Sequence, residues 1–364
     1  MAEKNRPGFL KRNAMRLLNA FERTTLGPLR PNVSTPSDVV WMWERSTLLR
    51  FELPRHPVRY RIPVIIIPPL MVKPIIFDLR PGHSMAGFLC EQGFDTYMLD
   101  YGVPEAEDRV IRVDDYVADF IPNAIQRVME MTGAPAVSLI GWSMGGIMSY
   151  TMCGMLGEEA HVRNLVTIGS PLDFSKMFPM NIMAQMIRLP GATVMFDLMG
   201  NVPPTLTRNG FHLLAPQKLL TRRLALIQHY WDRDWVAGYE AMSNWVDEFI
   251  PYPGEAFKQF VRDFVSSDKL RRGALTINGQ EIDLHRIRAN ILVFVGTKDD
   301  VAPPASVRAA VDEIPVDDIR AIEVPLGHIG LVAGSAAREL VWQPMADWLA
   351  ERSEPLRIDT TTAA

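Results

Sequence analysis

The chain alternates short apolar runs with stretches of helical periodicity. "VIIIPPLM" from Val64 is a continuous apolar run bounded by prolines, the pattern of a strand buried on both faces. Ser84–Glu91 predicts a helix, "FDTYMLDYG" (Phe94–Gly102) a second strand, and Val113–Met131 a long helix. Asp114 and Asp115 fall in the first turn of that helix, where the helix dipole favours acids. "VSLIGWS" is a third strand that runs straight into another helix, and "RNLVTIGSP" (Arg163–Pro171) is a fourth. Strand and helix alternate, so the economical fold is α/β with a mostly parallel central sheet.

After residue 172 the alternation stops. Residues 173–285 carry helical patterns broken by proline and glycine, with few strand candidates. Met177, Met180, Met183 and Met186 fall every third residue, followed by Met195 and Met199. Methionine fills irregular apolar space and adapts to varied partners, so this segment reads as a helical cap, or lid, over a site. The sheet pattern returns with "ILVFVGTKDD" (Ile291–Asp300) and "IRAIEVPLGHIG" (Ile319–Gly330), and a helix over Ala336–Glu351 closes the fold. The expected organisation is a core of residues 36–172 and 286–351, a cap of 173–285 and a disordered polar tail of 352–364.

Residues 1–35 stand apart. They are basic (Lys4, Arg6, Lys11, Arg12, Arg16, Arg23, Arg30), and Phe9, Leu10, Ala14, Leu17, Leu18 and Phe21 recur at helical spacing. Two readings follow: a helix packed on the body, or a surface helix for a membrane, a granule or another partner.

Composition narrows the picture. The 364 residues are 48% apolar and 22% charged, with a net charge of −4, the balance of a soluble globular protein with no global field for nucleic acid. No apolar run is long enough to span a bilayer, and the N-terminus lacks the apolar core of a secretory signal. The two cysteines, Cys90 and Cys153, suggest neither a disulfide framework nor a metal site. They fit a reducing, cytoplasmic setting. Nothing in the sequence calls for a cofactor.

The candidate chemistry centres on Gly141-Trp142-Ser143-Met144-Gly145. The G-x-S-x-G spacing gains weight from its context, because the motif needs a strand before it and a helix after it to expose the serine on a tight turn. Gly141 and Gly145 remove side chains that would clash there, and the helix N-terminus favours developing negative charge. A serine hydroxyl needs a base, and in this arrangement the order along the chain is serine, acid, histidine. Of seven histidines, His328 alone follows both the nucleophile and a late strand. His83, His161 and His285 fail on order or position. Asp299 and Asp300 follow the Ile291 run, and the D-x-V-A-P pattern points to Asp299. The acid would hold the imidazole tautomer and stabilise the imidazolium. For the oxyanion, the expected backbone donors are Met144 N–H and a second from the loop after Val64–Ile67. Pro68 and Pro69 have no N–H, so Leu70 is the first available there and Met71 the next.

The chain resembles the catalytic subunits of polyhydroxyalkanoate synthases, especially the short two-subunit class. The resemblance runs from about Thr35 to Leu349 and rests on "TPSDVV", "FDLRPGHS", "EDRVIRVDDY", "GNVPPTL", "FKQFVRDF", "NGQEIDL", "TKDDVAPP" and "GHIG". It implies an α/β-hydrolase core, a mobile cap and acyl transfer from hydroxyacyl thioesters such as hydroxyacyl-CoA, and it leaves open a homodimer or a second subunit. Mapped by motif, the family's acid falls on Asp299 and its base on His328. Two positions depart from that pattern: Ser143 stands where the family usually has cysteine, and Asp300 where it often has histidine. An oxyester on serine is less activated towards a chain hydroxyl than a thioester, and suits water as the acceptor. The expectation is therefore a serine hydrolase cleaving an apolar (hydroxy)acyl ester or thioester. The alternatives are a synthase-type acyltransferase using serine, and a non-catalytic granule- or lipid-associated module.

Overall fold

The computed structural model describes residues 8–25, 35–178, 180, 182, 184, 199–214 and 225–356. Eight strands form the central sheet: β1 (Ser37–Trp43), β2 (Ser46–Phe51), β3 (Val64–Ile67), β4 (Thr96–Asp100), β5 (Val137–Trp142), β6 (Val162–Ile168), β7 (Asn290–Gly296) and β8 (Ile319–Val324). Their spatial order is β1-β2-β4-β3-β5-β6-β7-β8. The first two strands form an antiparallel hairpin, and β2 pairs antiparallel with β4. The other pairings, from β4 to β8, are parallel.

The continuous apolar runs earn their central places. Every residue of β3 and of β5 is buried. Alternate residues serve opposite faces, as the twofold pleat requires. Ile65, Ile67, Leu139 and Val293 join one core layer, while Val64, Ile66, Ile140 and Phe294 join the other. The first layer is covered by the helix that starts at Met144 and by Ile121–Thr132, the second by Met85–Gln92 and Gln343–Glu351. Helices on both faces explain why these strands lack a polar side.

The expected helix over Val113–Met131 is present but not uniform. Residues Tyr116–Phe120 widen into a π turn before the α-helix resumes at Ile121. Pro122 has no N–H for the carbonyl four residues back, so the regular ladder is interrupted there. The hairpin β1–β2 lies outside the strands read from sequence. Val39 and Met42 are exposed along β1, so this edge strand lacks the buried run that marked the others.

Among the described residues between β6 and β7, helices span Pro204–Leu214, Arg233–Asp247 and Gly254–Gln259, the last continuing as a π turn to Ser266. A small hairpin pairs Thr276–Ile277 with Gln280–Glu281. Met183, Met186 and Met195 lie outside the described residues.

Both ends of the described chain are tied to the body. The tail expected to be disordered from residue 352 is tied down as far as Leu356. Ser353 Oγ accepts from Ile62 N, Arg61 N donates to Glu354 O, and Leu356 N donates to Arg59 O. Residues 357–364 lie outside the described residues, as do 1–7 and 26–34.

At the other end, the helix α1 (Phe9–Thr25) does pack on the body, but by its polar face. Asn19, 3% exposed, donates to Tyr230 O at 2.8 Å, and Arg23 Nε pairs with Glu240 Oε1 at 2.6 Å. Arg233 pairs with Glu22. The apolar side chains face outward: Leu10 is 84%, Leu17 75%, Leu18 55% and Phe21 64% exposed. No helix among the described residues is long and apolar enough to cross a membrane.

Candidate active site

Ser143 stands at the turn between β5 and the helix Met144–Leu156, with φ 53° and ψ −120°. Left-handed backbone is costly for a residue with a Cβ, on the order of 1–3 kcal/mol, and persists where the surroundings enforce it. Here Ser143 N donates to Ile168 O at the end of neighbouring β6, at 2.9 Å. The flanking glycines let the turn close. A Cβ on Gly145 would lie 2.0 Å from Ile67 O, and one on Gly141 would lie 2.5 Å from Gly146 N. The helix is thereby pressed against the end of β3, where a side chain at either position would hold it off.

Asp299 and His328 come from the loops after β7 and β8, adjacent parallel strands. Asp299 Oδ1 accepts from Val301 N at 2.9 Å and Ala302 N at 2.8 Å, and Oδ2 faces His328 Nδ1 at 2.7 Å. Both residues are 4% exposed. A carboxylate only accepts, so the imidazole carries its proton on Nδ1 towards Asp299. Asp300 is exposed, which separates the two neighbouring aspartates by geometry.

Two neighbours of this pair were not singled out in the sequence. The Trp142 ring lies 5.2 Å from that of His328 at an interplanar angle of 35°. Gly169, after β6, has φ 54°, and a Cβ there would come 3.2 Å from Asp299 Oδ2 and 3.3 Å from His328 Nδ1. Only its place at a strand end, next to Ser170-Pro171, could have drawn attention to it.

Ser143 and His328 line one cavity of about 380 Å³. The rest of the wall is almost wholly apolar. Val202, Leu206, Trp245, Phe257 and Phe260 reach it from the segment between β6 and β7, with Met177 and Met180 beside them. The expected oxyanion loop is adjacent: Met71 lines the cavity, whereas the Leu70 side chain turns into the core at 3% exposure. The backbone N–H groups of Met144, Leu70 and Met71 have no acceptor among the described residues.

The cysteines lie away from this chemistry. Cys153 is 1% exposed within the helix after Ser143, and burial pushes its thiol up to about 12. Cys90 is buried too, and burial pushes its thiol up to about 11. Of the other histidines, His285 is exposed against Asp283, and His83 lies beside Arg80 with its ring held below the usual range by burial and that guanidinium.

The mostly parallel sheet with helices on both faces defines a class of fold, and comparison with known proteins agrees. The family model described as the alpha/beta hydrolase family matches residues 35–342, and the chain belongs to that family. More particularly, it is a homologue of proteins named poly(3-hydroxyalkanoate) polymerase subunit PhaC. It is 32% identical to that of Haloferax mediterranei over 88% of this chain, and spans 65% of that protein's length. It is 30% identical to that of Synechocystis sp. over 87% of this chain and 85% of that one. Among solved structures, the monoacylglycerol lipase of Paleococcus ferrophilus superposes with a TM-score of 0.53 at 17% identity, covering 86% of this chain and 100% of that one. That likeness is one of fold.

Proposed function

We propose that the protein is a serine enzyme that forms an acyl-enzyme at Ser143 and releases the acyl group chiefly to water. Its substrate is an ester or thioester of an apolar (hydroxy)acyl group, hydroxyacyl-CoA among them. The observation that carries this reading is the shared cavity: Ser143 and His328 meet in an apolar chamber, with Nδ1 of His328 held by a buried carboxylate.

In this reading His328 Nε2 takes the proton as Ser143 Oγ attacks the carbonyl carbon. Asp299 keeps the ring in the tautomer that leaves Nε2 basic. The oxyanion is held by Met144 N–H and Leu70 N–H. His328 then protonates the leaving thiol or alcohol as its bond to the carbonyl carbon breaks. Water, deprotonated by the same nitrogen, attacks the acyl-enzyme, and the acid leaves as Ser143 recovers its proton. Residues 173–285 act as the cap that shields the acyl chain from water.

The relatives' printed name favours a second reading, in which the acceptor is the hydroxyl of another acyl unit and the product is a polymer. One experiment separates them: incubation with a hydroxyacyl-CoA, followed by product analysis. Free hydroxy acid as the main product supports hydrolysis; oligomer with little free acid replaces it with the second reading. A fluorophosphonate that fails to label Ser143 removes both and leaves a non-catalytic module.

We also propose that α1 attaches the protein to a granule or membrane surface in the cytoplasm. Its outward row of Leu10, Leu17, Leu18 and Phe21 supports this, as does the exposed Lys11 on the same helix.

A further inference from the structure

The lining of the Ser143 cavity holds few side-chain donors, and they differ in how they are occupied. Besides Ser143 and His328, the polar lining residues among those described are Trp142, Thr207, Trp245 and Tyr252. Thr207 Oγ1 donates to Pro204 O and Trp245 Nε1 to Lys73 O, each at 3.0 Å. Both are committed to backbone carbonyls. Trp142 Nε1 is buried without an acceptor. The Tyr252 hydroxyl donates to Met144 Sδ at 3.0 Å.

A thioether is a weak acceptor, so the Tyr252 donor is poorly spent inside the protein. It is also rigidly presented. Tyr252 is 1% exposed, its backbone exchanges hydrogen bonds with Val202 at 2.8 and 3.0 Å, and its ring meets Phe257 edge-on at 5.5 Å. Burial holds the phenol far above its usual range, so it remains a proton donor at any working pH. Its sulfur partner belongs to the residue directly after Ser143, and Ser143, Met144 and Tyr252 line the same chamber.

We propose that Tyr252 is a specificity-determining residue whose hydroxyl leaves the Met144 sulfur to donate to an oxygen carried by the acyl chain, the hydroxyl of a hydroxyacyl substrate. This rests on the acyl-enzyme reading above and deepens it. A plain acyl chain leaves the donor on its thioether, whereas a hydroxyacyl chain exchanges that weak acceptor for an oxygen. Sites that hydrogen-bond a substrate hydroxyl discriminate strongly against analogues that lack it.

The test uses the full chain with 3-hydroxyhexanoyl-CoA and hexanoyl-CoA, reading CoA release as kcat/KM. The wild type is expected to favour the hydroxyacyl thioester by about tenfold or more, and Tyr252→Phe to lower that rate by roughly 10- to 100-fold while changing hexanoyl-CoA by less than about twofold. Equal losses on both thioesters would assign Tyr252 a structural role and overturn the inference. So would a wild type that treats the two alike, a comparison that needs no variant to fold. Fluorophosphonate labelling of Ser143 in the same samples keeps the two levels apart. Labelled protein with no discrimination overturns the role of Tyr252 alone, whereas unlabelled wild type overturns the acyl-enzyme reading and this inference with it.

Discussion

His328 Nδ1 and Asp299 Oδ2 lie 2.7 Å apart, joined across the ends of two adjacent parallel strands. The second carboxylate oxygen is bound by two backbone N–H groups of the loop that follows Asp299. The carboxylate is therefore fixed before it meets the imidazole, and the pair is preorganised.

Asp299→Asn should lower kcat for ester hydrolysis by about 10³- to 10⁴-fold, because the amide can no longer enforce the tautomer. Asp300→Asn, at an exposed position, should change it by less than about threefold. Steady-state kinetics on a small soluble ester checks both. A dead Asp300 variant beside an active Asp299 variant would reverse the assignment.

Ser143→Ala should abolish turnover, by about 10³-fold or more, with the thermal midpoint retained. Alanine keeps the Cβ, so the left-handed strain at this position is unchanged. Near-normal activity would remove Ser143 as the nucleophile.

Ser143→Cys should lose most ester hydrolysis yet retain acylation by hydroxyacyl-CoA, since a thioester forms from a thioester at little cost. The native thiols should stay silent during this test. Burial raises Cys90 and Cys153 to about 11 and 12, so at pH 8 neither offers appreciable thiolate. Iodoacetamide should therefore label one site in the folded variant and none in the wild type, as mass spectrometry would read. Labelling of Cys153 in native protein would contradict its burial.

Gly145→Ala should destabilise the protein by about 3 kcal/mol or more, or prevent it from accumulating, because its Cβ would meet the Ile67 carbonyl oxygen at 2.0 Å. The Cβ position is fixed by the backbone and the oxygen belongs to it, so no rotamer change relieves the clash. Denaturant unfolding measures the cost, and a variant of native stability would show that the turn can open.

Replacing Leu17 and Phe21 by glutamate should leave the unfolding free energy within about 0.5 kcal/mol of wild type, because both side chains already face solvent. Binding to vesicles containing anionic lipid should fall at least about tenfold with the apolar row gone. Asn19→Ala should instead loosen the helix from Tyr230, with greater proteolysis near residues 8–25 as the readout. A large loss of stability in the glutamate variant would mean that the apolar row packs on the protein.

Much of this protein was legible one residue at a time. Runs such as Val64–Ile67 and Val137–Trp142 have no polar side, and that alone requires cover on both faces and hence the parallel core. The serine between glycines and the late histidine could be picked out because strand ends and chain order are linear properties. The two neighbouring aspartates could be ranked by motif, but their difference in burial depends on which side of the loop after β7 faces Gly169. The hairpin β1–β2 gave little sign because edge strands bury less and need no apolar run. The direction of α1 was beyond periodicity altogether. An amphipathic pattern says that two faces differ, and only the position of Tyr230 and Glu240 decides that the polar one turns inward. The same limit holds for Tyr252. Its pairing with Met144 joins residues 108 positions apart, and contact between distant segments is set by how the segment between β6 and β7 folds over the sheet, a matter of three-dimensional packing that local sequence does not encode.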